Sequence, residues 1–291
     1  MMNHKRYISV VFIWLLSICS IWAQTNPYRF GSPHYWMTQG TLDIYAGKFD
    51  IAYENLEKAQ KGYRELGDVG FQIQATEAMG ALKAGLGEWE KAKQHYQDAL
   101  QIATEANEDF AQSKVMVDLL ALYRTVGDII GFNHYLKALD SLYHVSNSAK
   151  LKTVYHLYWS NEYLARKEFA MVETQLQQCW DVMQDLPFSD REQAKLNYYS
   201  SMMNLKQQQR QYKDAIRAAK HYIEQTKILN GRNSDQQYQA YSNLCTLYAL
   251  DNDSTKAFAC LDSLGRGVGH SYQDKEVIAN FYTLKVRIFY K

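Results

Sequence analysis

Thirty-two basic and 31 acidic side chains, eight histidines and four cysteines are the reactive groups of this 291-residue chain. Metal or acid–base chemistry on helices needs such groups one turn apart on a shared face. His34, His95, His134, His144, His156, His221 and His270 never fall at i, i+4 spacing, and no His-Glu-x-x-His, Gly-x-Ser-x-Gly or Cys-x-x-Cys occurs. Glu88, Glu90, Lys91 and Lys93 read as a solvated helix face supporting itself. Gly265-Arg-Gly-Val-Gly269 has glycines enough for a phosphate loop, but no strand pattern precedes it and no Gly-Lys-Ser/Thr follows. It reads as a flexible connection. These patterns predict no catalytic residue, no cofactor and no metal site, and hence a protein that is not an enzyme.

The first segment carries an address. His4, Lys5 and Arg6 precede an apolar run from Tyr7 to Trp22, and Ala23 offers a small residue before Gln24. That is the pattern of a secretory signal peptide over residues 1–23, followed by an extended lead over 24–32. The run is shorter than the roughly 20 residues a spanning helix needs, which favours cleavage over the alternative of an uncleaved anchor, and the mature chain is then expected to carry no transmembrane helix. Ile18 is too bulky before Cys19 for a lipid attachment site. Removing 1–23 leaves 30 basic against 31 acidic residues, which argues against nucleic acid as a partner. The expected location is across the inner membrane of a Gram-negative bacterium, periplasmic or outer-surface. Cys179, Cys245 and Cys260 remain, an odd number without a framework's spacing. Buried free thiols are expected, with a Cys245–Cys260 bridge as the open alternative in an oxidising compartment.

The elements that position all this repeat. Gly40 and Gly80, Gly47 and Gly87, Phe49 and Trp89, Ala52 and Ala92, Leu56 and Tyr96, and Ala59 and Ala99 each stand forty residues apart. Gly127 and Lys167 continue the series begun by Gly47 and Gly87. Gly47 ends one helix by taking a left-handed conformation, and Ala52, Leu56 and Ala59 then form an apolar stripe on the next. Gly40 and Ala52 let the two helices approach. Trp36, Gly40, Phe49, Ala52, Leu56 and Ala59 in this order resemble the signature of the tetratricopeptide repeat (TPR). Later units repeat it with Gly80, Trp89, Ala92, Tyr96 and Ala99, then more loosely. Unit three keeps Leu119, Tyr123 and Gly127 but slips by one residue at Gly131, Tyr135 and Ala138. Unit four has Lys167 and Val172 in place of Gly and Ala; unit five turns at Arg210, unit six at Asn252. Asp185-Leu-Pro187 marks a wider step before unit five. Many of the 23 tyrosines are expected between helices, rings packed and hydroxyls wet.

The resemblance implies an all-α fold, a right-handed TPR superhelix (α-solenoid) of six hairpins over residues 33–291 with a terminal helix from about Lys275. It also implies a protein or peptide partner held on the concave wall formed by each first helix. Transferred position by position, that wall is His34, Met37, Thr41 and Tyr45 in unit one, Lys114 and Arg124 in unit three, and Asn161 in unit four. Unit five supplies Asn197, Ser200, Asn204, Gln207 and Gln208; unit six supplies Gln239, Ser242 and Thr246. Neutral amides and hydroxyls on one face suit a peptide backbone. The family's clamp for a terminal carboxylate needs more cations than Lys114 and Arg124, so a chaperone-tail clamp is not expected. The leading function is therefore an exported TPR scaffold. The alternative is the extracytoplasmic sensory portion of a sensor kinase or regulator, truncated at Lys291, which Asp140 to Tyr143 and the loosened units also resemble. Partner identity and oligomeric state are not legible.

Overall fold

The computed structural model describes residues 30–230 and 235–268; side chains are described for these except at 230, 235–239, 263 and 265–268. Twelve helices fill the described residues. They are α1 (Pro33–Tyr45), α2 (Phe49–Leu66), α3 (Val69–Gly85), α4 (Trp89–Glu105), α5 (Asp109–Val126) and α6 (Ile129–Val145), followed by α7 (Ala149–Ala165), α8 (Phe169–Met183), α9 (Phe188–Gln208), α10 (Tyr212–Asn230), α11 (Asp235–Leu250) and α12 (Ser254–Val268). Taken pairwise they are the six expected hairpins of an all-α, TPR-type helical repeat. The signal peptide, most of the lead and the terminal helix from Lys275 lie outside the described residues.

Polar groups at the ends fix where helices start and stop. Ser32 accepts from the Tyr35 amide at 3.1 Å, with Pro33 at the first helical position, where its missing N–H costs nothing. Asp68 and Asp128 cap α3 and α6 in the same way. Every hairpin then turns through one left-handed residue: Gly47, Gly87, Gly127, Lys167, Arg210 and Asn252, with φ between 60° and 78°. The amide after each closes a bond to a carbonyl five residues back, as Lys48 does to Asp43 at 2.8 Å and Glu168 to Tyr163 at 2.9 Å. Units four and five thus keep the glycine turn without the glycine.

Packing within a hairpin follows a small-opposite-large rule. A Cβ on Gly40 would lie 2.9 Å from Leu56 Cγ, and one on Gly80 would lie 2.9 Å from the Tyr96 ring. In unit three the roles reverse: Gly131, on the second helix, makes room for Tyr123 on the first. That reversal is the physical content of the one-residue slip. Met203 in α9 and Ala219 in α10 belong to one core cluster.

The chain divides into two compact units, residues 1–155 and 156–291, and the division falls inside α7. Pro187 stands in the break before unit five, where a wider step is expected. Only Gln184–Pro187 separate α8 from α9, and the wider step is taken up by the 21 residues of α9. In the first unit, Leu56 and Tyr63 are the buried centre of α1–α3. In the second, Leu176, Cys179 and Leu205 join α7, α8 and α9, and Leu244 and Cys245 join α10, α11 and α12. Gly265 and Gly267 lie within α12 and do not form the expected connection; Gly269 lies outside the described residues.

Several tyrosines pack between helices with their hydroxyls bonded inside the fold. Tyr63 meets His34 Nδ1 at 2.8 Å, Tyr53 meets His95 Nε2 at 3.2 Å, and Tyr155 donates to Asp140 at 2.9 Å. His34 and His95 are thereby occupied as tyrosine partners, His156 is paired with Gln175, and burial holds the His95 imidazole below its ordinary range.

Candidate peptide-binding face

In the first unit the transferred wall positions divide sharply. Met37 and Thr41 are buried, Met37 in the hairpin core and Thr41 with its hydroxyl donating to the Met37 carbonyl at 2.9 Å. They are packing residues, because α1 is short and its apolar side must serve both α2 and α3. His34 is held edge-on against Tyr63 and Phe71; Tyr45 is exposed. Arg124 is exposed, with its guanidinium 5.2 Å from the Phe132 ring.

Lys114 is not an open cation. Its Nζ lies 2.7 Å from Glu77 Oε2, which ties α5 to α3, the first helices of successive hairpins. Glu77 is only 5% exposed, and its other oxygen, Oε1, is buried without a hydrogen-bond partner. Gln74, one turn earlier on the same face of α3, has a buried Oε1 in the same condition. Asp118 stands one turn after Lys114 on α5, half-buried. Burial, reinforced by the Glu77 charge and opposed by Lys114, pushes the Asp118 carboxyl up to about 7. Burial works against the Lys114 ammonium too, but Glu77 and Asp118 outweigh it and hold its pKa above the ordinary lysine value.

Sequence reasoning missed Gln74, Glu77 and Asp118. The signal was available at Gln74, which stands forty residues before Lys114 on the same ruler.

In the second unit the face is closer to expectation. Asn161 on α7 is exposed, and its Oδ1 accepts from Ser201 on α9 at 3.4 Å, linking successive first helices. Along α9, Asn197, Ser200 and Gln207 are half-buried while Asn204 and Gln208 are exposed. The spacing of 197, 200, 204, 207 and 208 keeps them on one side of the helix. Gln193, one turn before Asn197, carries a buried Oε1 without a partner and extends the row; sequence reading did not include it. On α11, Ser242 and Thr246 are half-buried, and the Thr246 hydroxyl donates to the Ser242 carbonyl at 3.0 Å. The Gln239 side chain lies outside the described residues. Charge beside this row is already paired, Lys206 with Glu173 at 2.8 Å and Lys195 with Glu192 at 2.7 Å.

Among the described residues no group of three or more potential metal ligands comes together, and no helix is long and apolar enough to cross a membrane. Cys179, Cys245 and Cys260 are free and buried.

No protein-family model matches the chain, and no curated protein matches it. Solved structures do. The apo form of the quorum sensor NprR from B. thuringiensis aligns at 12% identity over 98% of this chain and 82% of that one, with a TM-score of 0.52. BtubC from P. vanneervenii aligns at 17% identity over 94% of each chain, TM-score 0.41. The TPR2AB domain of yeast Sti1, solved with a pHSP90 complex, aligns at 16% identity over 87% of this chain and 98% of that one, TM-score 0.33. At such identities likeness concerns fold alone, and that to NprR agrees with the hairpins and turns above: the chain has a TPR-type helical repeat fold.

Proposed function

We propose that the chain is an exported scaffold that holds a protein or peptide segment against the faces of its first helices. The observation that carries this reading is the row on α9, where Asn197, Asn204 and Gln208 offer amide donors and acceptors and Gln193 keeps a buried acceptor without a partner. An extended peptide carries one N–H and one C=O per residue that need such partners once water is displaced. Unsatisfied acceptors cost stability, and a ligand that supplies donors recovers it. Export follows from the signal-peptide pattern of residues 1–23, and a non-enzymatic role from the lack of any catalytic spacing in the sequence.

Panning a random peptide library against the purified chain tests the reading. Selected peptides are expected to lose at least tenfold in affinity against the Asn204→Ala, Gln208→Ala double variant, with helicity by circular dichroism unchanged. No selection above background, or equal binding by the double variant, would overturn it.

A further inference from the structure

The polar knot joining α3 and α5 has the wrong balance for a purely internal ion pair. It holds one cation, Lys114, and two carboxylates, Glu77 and Asp118, on the facing sides of two successive first helices. Lys114 engages Glu77 through Oε2 alone. Glu77 Oε1 and Gln74 Oε1 are left as buried acceptors with no donor, although Glu77 is 95% buried by its 5% exposure. Buried acceptors are ordinarily matched, and a surplus buried carboxylate is ordinarily neutralised by a second cation or by a proton. A group that brings several N–H donors and, once Asp118 is ionised, one positive charge would complete the knot. A guanidinium carries five N–H groups in a planar fork, whereas an ammonium carries three.

We infer that Gln74, Glu77 and Asp118, braced by Lys114, form a subsite for a basic side chain of the ligand, arginine in preference to lysine. The inference rests on reading the first helices as a binding wall and adds a chemical identity to one position of the ligand. Asp118 supplies the ionic contact, and the Gln74 and Glu77 oxygens accept from the outer N–H groups. Lys114 keeps Glu77 in place. Because Asp118 holds a proton up to about pH 7, with Glu77 and Lys114 the charged groups acting on it, a bound cation must displace that proton. Binding is therefore expected to strengthen by up to about tenfold from pH 6 to pH 8.

The test uses N-acetyl-arginine-N-methylamide as probe, its neutral isostere N-acetyl-citrulline-N-methylamide as control, and heteronuclear NMR of the full chain as readout. The arginine probe is expected to shift α3 and α5 amides with millimolar affinity, at least tenfold more tightly than the citrulline probe, and more tightly at pH 8 than at pH 6. Asp118→Asn should weaken it tenfold and remove the pH dependence. If that variant does not fold, Gln74→Met should weaken it about threefold. Equal binding of the two probes, shifts elsewhere than α3 and α5, or an unaltered affinity in the variants would overturn the subsite. Failure of peptide selection with the arginine probe still bound would count against the scaffold reading and leave the subsite standing.

Discussion

At the scale of single residues, Lys167 and Arg210 hold a conformation that their side chains resist. Both have φ near +60°, and an L-residue there costs roughly 1–2 kcal/mol. Glycine removes that cost but gives back about 0.5–1 kcal/mol in unfolded-chain entropy. Lys167→Gly and Arg210→Gly are each expected to stabilise by about 0.5–1 kcal/mol, measured as an upward shift of the urea midpoint at constant slope. Asp118 makes a second residue-scale prediction. Its carboxyl titrates at about 7 in the fold against 3.8 ordinarily, so between those values the folded chain binds the extra proton. Stability must then fall as pH rises from about 4 to 7 and level off above, with a slope of at most about 1.4 kcal/mol per pH unit. Subtracting the Asp118→Asn stability profile from that of the unmodified chain should expose this slope; a flat difference would contradict the assignment. The thiols supply a third. Burial pushes Cys179 up to about 12, and the hydrogen bond shared with Cys260, together with burial, raises Cys245 while it holds the Cys260 thiol below its ordinary value. Cys179 and Cys245 should not react with an aromatic disulfide reagent in the native fold, Cys260 should react before either of them, and all three should react in denaturant.

At the scale of elements, the hairpin is closed by one missing side chain. Gly131→Ala would drive a methyl into Tyr123 Cε1, and Gly80→Ala would place one 2.9 Å from Tyr96. Overpacking of this kind costs about 1–3 kcal/mol. In mid-helix α3 an alanine recovers up to about 1 kcal/mol of helix propensity, so Gly131→Ala should be the more damaging. Tyr123→Leu should suppress much of its effect, read as coupling in a double-mutant cycle. These same positions show what was legible beforehand. The forty-residue ruler found Gly40, Gly80 and the turns because a turn and a close approach each demand a particular residue type. It placed Lys167 in the turn series without knowing that a lysine would adopt the glycine conformation, since the bonds closing the turn supply that energy from the backbone. The face residues were harder. A wall position is defined by what neighbouring helices leave uncovered, which is why Met37 and Thr41 were misplaced and Gln74, Glu77 and Gln193 overlooked. The α9 row was visible because five polar residues on one side of a helix form a pattern by themselves.

At the scale of the whole molecule, repeats touch their sequence neighbours, and stability is then approximately a sum of local and nearest-neighbour contributions. The core is accordingly not one cluster: Leu56 and Tyr63 belong to the hairpins around α1–α3, Leu176 and Leu205 to those around α7–α9. The division between the two compact units falls within α7. Leu56 is fully buried, and Leu56→Ala removes packing worth about 2–5 kcal/mol. Its effect should be largest where Leu56 packs and should fade with each hairpin crossed. Native-state hydrogen exchange of that variant is expected to show protection lost across α1–α4, where the deleted side chain and its neighbours lie, and retained across α9 and α10. The reciprocal variant, Leu205→Ala, should reverse the pattern, with α9 and α10 opening and α2 and α3 holding. A uniform fall in protection throughout the chain in either variant would mean that the repeats unfold as one cooperative body, and the nearest-neighbour description would fail.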